Sequence, residues 1–144
     1  MIIADHGRQR GAASVEAVLL VPVLVLVAAG ATAGWRVWWA GGQVQAAAQS
    51  AARAASLLGD ANTANQTVAS IIAADLDTAG VHCADVTITS DLAAVAQPPG
   101  MPGTVRVQVK CVVELGDLLL PMPGFVVVHG DATEAIDIYN RRGR

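Results

Sequence analysis

Apolar and polar positions along the 144-residue chain fall into a few readable patterns. The first is a run from Ala17 to Trp35 with no charged residue. As a helix, that run would span roughly 28 Å, close to the thickness of a bilayer's hydrocarbon core. Pro22 lies within it. Proline damages the interior of a soluble helix, but membrane helices tolerate it where neighbours re-satisfy the backbone. Further on, Val44, Ala48, Ala51, Ala55 and Leu58 recur at steps of four and three, which is one helical face. Gln45, Gln49, Arg53 and Ser56 populate the other side. Together these patterns predict one nearly continuous helix from about Ala12 to Leu58, roughly 70 Å long. Gly41-Gly42 is read as a bend, and Gly59 as the stop.

The second half of the chain changes period. Asn62 to Gln66 is read as caps and turn residues, followed by a short helix whose apolar face is Val68, Ile71, Ile72, Leu76 and Ala79. Gly80 ends it. A first strand is predicted at about His82 to Ser90, and a Pro/Gly-rich loop follows. The clearest strand has Val105, Val107, Val109, Cys111, Val113 and Leu115 on one face, with Arg106, Gln108, Lys110 and Glu114 on the other. A third strand, about Phe125 to Ile138, turns Val126, Val128, Ala132, Ile136 and Ile138 inward. Glu134 breaks that parity, which predicts a bulge or a frayed segment. The expected class is α+β: a long N-terminal transmembrane helix, a second short helix and a small antiparallel sheet of about three strands. The expected organisation is a leader at 1–11, a transmembrane helix at 12–39, its exported continuation at 40–60 and an exported α+β domain at 61–144.

Composition sharpens this picture in three places. Apolar residues make up 53% of the chain and the mean hydropathy is +0.48, high for a soluble domain. Aromatics are only 3%, yet three tryptophans stand together: Trp35, Trp38 and Trp39. Indoles collect at the headgroup level, so this cluster marks the far membrane interface. Arg8 and Arg10 before the run favour a cytoplasmic N-terminus, a bias that Arg36 weakens. The net charge of −3 argues against a nucleic-acid partner.

Candidate chemistry is sparse. Arg141, Arg142 and Arg144 read as a solvated tail, and Asp75 and Asp77 as solvated helix residues. His129 reads as an exposed strand residue. His82 and Cys83 point to opposite faces of a strand and so make a poor metal pair. No phosphate loop, nucleophile elbow or metalloprotease motif is present. The expectation is no enzyme activity, no cofactor, no metal and no small-molecule substrate. The two cysteines, Cys83 and Cys111, allow one disulfide. An exported domain with a thin core would gain about 2–4 kcal/mol from it; two free buried thiols are the alternative. Leu118 to Gly124 is an apolar loop that either folds over the core or contacts another subunit.

One residue opposes the pattern. Glu16 stands at the mouth of the apolar run, where a membrane-buried carboxylate costs about 2.5–3.5 kcal/mol on insertion scales. It could snorkel or pair with Arg10. Alternatively, its partner lies outside the chain. Gly11 precedes Ala-Ala-Ser-Val-Glu, which makes Glu16 the fifth residue after the glycine. A basic leader, a glycine and a fifth-position glutamate resemble the processing site of type IV pilins. The longer stretch RGAASVEAVLLVPVLVLV resembles the TadE-like proteins of tight-adherence pili; Pro22 matches their pattern, and Ala17 stands where phenylalanine is frequent. Cys83, PPGMPG, VRVQVKC, LLLPMPG and Asp137-Ile138-Tyr139 also look like actinobacterial members.

The resemblance implies a minor pilin or pseudopilin that acts in adhesion. It implies cleavage between Gly11 and Ala12 by a prepilin peptidase, and assembly of Glu16 against a neighbour's new amine. The partners are the cytoplasmic membrane, other pilins and the Tad machinery. The chain would cross the membrane once with its C-terminal domain outside, or stand in the extracellular pilus. The competing reading is a secreted soluble binding protein whose signal peptide is cleaved after Ala33, where Ala31-Thr32-Ala33 fits the small-x-small pattern.

Overall fold

The computed structural model describes residues 10–98, 100–114 and 124–136, with the backbone alone for residues 10–17. Helix α1 runs Arg10–Ser56 and α2 Ala61–Thr78. Strand β1 is Asp85–Asp91, followed by a 3-10 turn at Ala93–Ala96, β2 at Thr104–Glu114 and β3 at Phe125–Ala135. The α+β class, with a long apolar N-terminal helix, a second helix and a three-stranded antiparallel sheet, is the one the pattern predicted. The chain divides into two units, residues 1–35 and residues 36–144.

The second unit holds the core. Val44, Ala47, Ala48, Ala51, Ala52 and Ala55 of α1 are buried, each at most 1% exposed. Against them lie Ala64, Val68, Ile72 and Leu76 of α2, and Val105, Val107, Val109 and Cys111 of β2. Alanine is the best helix former, and its short side chain lets the helix approach its neighbours closely. Strand β3 also approaches closely. A Cβ added to Gly130 would stand 2.5 Å from the carbonyl oxygen of Val44, so only glycine fits. At that crossing the Gln45 amide donates to the Asp131 carbonyl at 2.7 Å and accepts from the Asp131 N–H at 3.0 Å. Ser50 of α1 donates to the carboxylate of Asp75 of α2, so Asp75 ties the two helices together.

The element ends differ from expectation in several places. Gly41 and Gly42 stay helical, and a Cβ at either would meet nothing within 4 Å. Helix α1 ends at Ser56, where Leu57 and Leu58 donate back three residues to Ala54 and Ala55, before Gly59 is reached. Asn62 to Gln66 lie inside α2, and the cap is Asp60. Its carboxylate accepts from the Thr63 N–H at 2.7 Å and the Thr63 hydroxyl at 2.8 Å. These bonds hold the Asp60 carboxyl below its ordinary value, the backbone bond first. The far end of α2 closes as read: Gly80 takes φ +66°, its N–H donates to Asp77, and the Val81 N–H donates to Leu76. That pair of bonds is a Schellman motif.

The sheet order is β1-β2-β3, antiparallel throughout. Strand β1 begins at Asp85, not His82, which leaves Cys83 just ahead of it. The β2–β3 register runs one-to-one from Thr104↔Ala135 to Glu114↔Phe125, so no bulge occurs at Glu134. Glu134 keeps the inward parity but pairs with Val105 near the end of the sheet, where it is only half-buried. The Pro/Gly-rich connection contains an unpredicted 3-10 turn whose Ala94 and Val95 join the core. Leu115, Ile138, the Arg141, Arg142 and Arg144 tail, and the Asp137-Ile138-Tyr139 stretch lie outside the described residues, as does all of the Leu118 to Gly124 loop but Gly124.

Candidate functional site

The candidate site is the N-terminal half of α1. The backbone is helical from Arg10, so Gly11, Ala12 and Glu16 all stand on helix. Ala12 and Glu16 are four residues apart, about one turn. Their side chains lie outside the described residues.

Beyond Glu16 the helix presents large apolar side chains outward. Val18, Leu19, Leu24 and Leu26 are 64–71% exposed, and none of the most apolar 18-residue window is buried. By length and composition this helix can cross a membrane, as a single-pass protein requires. Water would oppose such exposure at about 25 cal/mol per Å² of apolar surface, whereas lipid does not. The one hydroxyl in this run, Thr32, donates to the Ala29 carbonyl at 2.9 Å and so carries no unsatisfied proton into an apolar medium. Pro22 sits inside the helix. Trp35 and Trp38 are largely exposed and Trp39 less so, at 64%, 70% and 40%.

Cys83 and Cys111 are bonded through sulfur, with their Cα atoms 5.5 Å apart. Cys111 is fully buried on the inner face of β2 and pairs in register with Val86. The bond ties the turn after α2 to the central strand. On the outer face of the sheet, Arg106 makes two hydrogen bonds to Asp131, at 2.9 and 3.1 Å. They hold the Asp131 carboxyl below its ordinary value and the Arg106 guanidinium above its own. Both groups are exposed, so this pair contributes little to stability. His82 and His129 are both exposed. Among the described residues, no group of three or more His, Cys, Asp or Glu could hold a metal ion.

Sequence reading missed two contacts that fix α1 on the sheet, Gln45–Asp131 and Val44–Gly130. Each joins positions 86 residues apart, and neither leaves a local pattern.

No curated protein and no solved structure matches the chain. A family model does. Residues 11–53, from the motif glycine to Arg53 near the end of α1, match the model of the TadE-like protein family, the family that RGAASVEA resembles.

Proposed function

We propose that this chain is a minor pilin or pseudopilin of a tight-adherence pilus, a structural or assembly component and not an enzyme. The observation that carries the reading is the family match, which begins at Gly11 and takes in Glu16 and the unburied apolar helix behind it. A prepilin peptidase cuts between Gly11 and Ala12. The missing Cβ of glycine lets the protease bind extended backbone closely. Cleavage creates an amine at Ala12. In an assembled complex, Glu16 of one chain pairs with that amine on another, which supplies the partner a membrane carboxylate needs. The N-terminus faces the cytoplasm and residues beyond Trp39 lie outside, in an oxidising compartment that supports the Cys83–Cys111 bond.

The test is the intact mass of membrane-extracted protein. A mature chain that begins at Ala12 supports the proposal, and one that begins at Gly34 replaces it with a secreted protein. Gly11→Val should block maturation. Glu16→Ala should leave insertion and cleavage intact but lose co-purified pilins, because a neighbour's buried ammonium would stand unpaired. Normal assembly of that variant would remove Glu16 from the subunit contact.

A further inference from the structure

One cleft in the unit 36–144 is absorbed by neither the core nor the N-terminal motif. It has a volume of about 330 Å³. Arg36, Val37 and Trp39 line it from α1, His82 from the turn after α2, and Val113 from the end of β2. Among the described residues, no acidic side chain lines it. Among the described residues the one ion pair is Arg106–Asp131, so none of their carboxylates pairs with the Arg36 guanidinium. The nearest acid in the sheet register, Glu114, follows Val113 and therefore points to the opposite face.

We propose that this cleft holds the headgroup phosphate of an anionic phospholipid in the outer leaflet, an inference that rests on the single-span reading above. Three observations select a lipid. Arg36 directly follows the charge-free run, and Trp39 and Trp38 belong to the segment where that run would leave the bilayer. The guanidinium offers a planar fork of N–H donors that matches phosphate geometry, and the imidazole of His82 adds a further donor. Val37 and Val113 give the same cleft an apolar wall, which suits glycerol and the start of an acyl chain better than a free ion. At this end of the sheet Phe125 also stands 66% exposed, one register pair beyond Val113↔Val126.

The experiment places the full chain in nanodiscs of equal parts phosphatidylglycerol and phosphatidylcholine. Native mass spectrometry then counts the lipids each released molecule retains. Wild type should retain phosphatidylglycerol over phosphatidylcholine by about fivefold. Arg36→Gln should abolish the preference, and Arg36→Lys should restore part of it by keeping the charge. Circular dichroism checks that both variants keep their helix content. Excess inorganic phosphate should leave the retained lipid in place. A wild type without preference, an Arg36→Gln variant that keeps it, or displacement by inorganic phosphate overturns the lipid site alone. A chain that fails to enter nanodiscs overturns the single-span reading as well, so the two failures are told apart.

Discussion

The two stretches of α1 use side-chain size in opposite ways. From Val18 to Val27 the large residues, Val and Leu, are exposed. From Ala47 to Ala55 it is alanines that are buried, at positions 47, 48, 51, 52 and 55. A water-soluble helix does the reverse, hiding its bulk and leaving alanine outside. The glycine of β3 that faces the second stretch differs from the glycines of the first. Gly30 and Gly34 have nothing within 4 Å of a would-be Cβ, whereas Gly130 has a backbone carbonyl in the way. The difference teaches that the two stretches answer to different surroundings. One is built to be solvated by something apolar, and the other to bring α1 close to a sheet and a second helix.

The widest separation between the stretches should come from the cysteines. Replacing Cys83 and Cys111 together by serine should cost the unit 36–144 about 3–4 kcal/mol in the chain-entropy account. Urea unfolding in detergent, followed by circular dichroism, measures it. The carbonate-resistant membrane fraction should not change. Equal loss of membrane retention would show the stretches to be one cooperative system.

The converse variant is Leu24→Arg. A cation at the centre of a span costs about 3 kcal/mol on insertion scales. Membrane fractionation should show poor retention, while the disulfide and the folded unit survive. Undiminished retention would mean that this stretch is not the anchor.

A size swap gives a matched pair. Ala51→Leu should overpack the buried face and cost about 1–3 kcal/mol, read as a lower urea midpoint. Leu24→Ala should leave that midpoint where it is. If the two variants behave alike, the inverted use of size carries no structural meaning.

The smallest effect concerns acid. Asp60 and Asp131 both have lowered folded-state values, so each contributes stability that is present above the unfolded value, ~3.9. That contribution is lost as pH falls through the folded value. Asp60→Asn keeps a capping oxygen but cannot titrate. It should match wild type at neutral pH and lose less stability on acidification; a parallel acid profile would discard the Asp60 contribution.

How far the sequence could be read depends on range. The Val and Ala spacing of α1 and the strict alternation of Val105 to Cys111 are local, and both predicted the right element. The start of α2 was not legible, because its first turn buries only Ala64 and Asn62 to Gln66 are turn-prone types. Glu134 misled for the opposite reason. Parity alone cannot distinguish a bulge from a side chain that reaches solvent at the end of a sheet. In the candidate site, the Gly11-to-Glu16 spacing was legible because it is linear in the sequence. The Arg36 cleft was not, because it joins α1, the turn after α2 and β2.

The grip of Gln45 on Asp131 has a consequence for chains crowded together in a membrane. Among the described residues strand β3 is a border of the sheet, and such a border normally offers free backbone groups to any passing strand. The Gln45 amide occupies both groups of Asp131 and behaves as a single rung of a missing neighbour. Strand addition along β3 is therefore interrupted near its middle. Identical molecules at high local density are steered away from pairing through β3, which leaves β1 as the sheet's other border among the described residues. Gln45→Ala should expose that rung and raise the tendency of the protein to form thioflavin-positive aggregates.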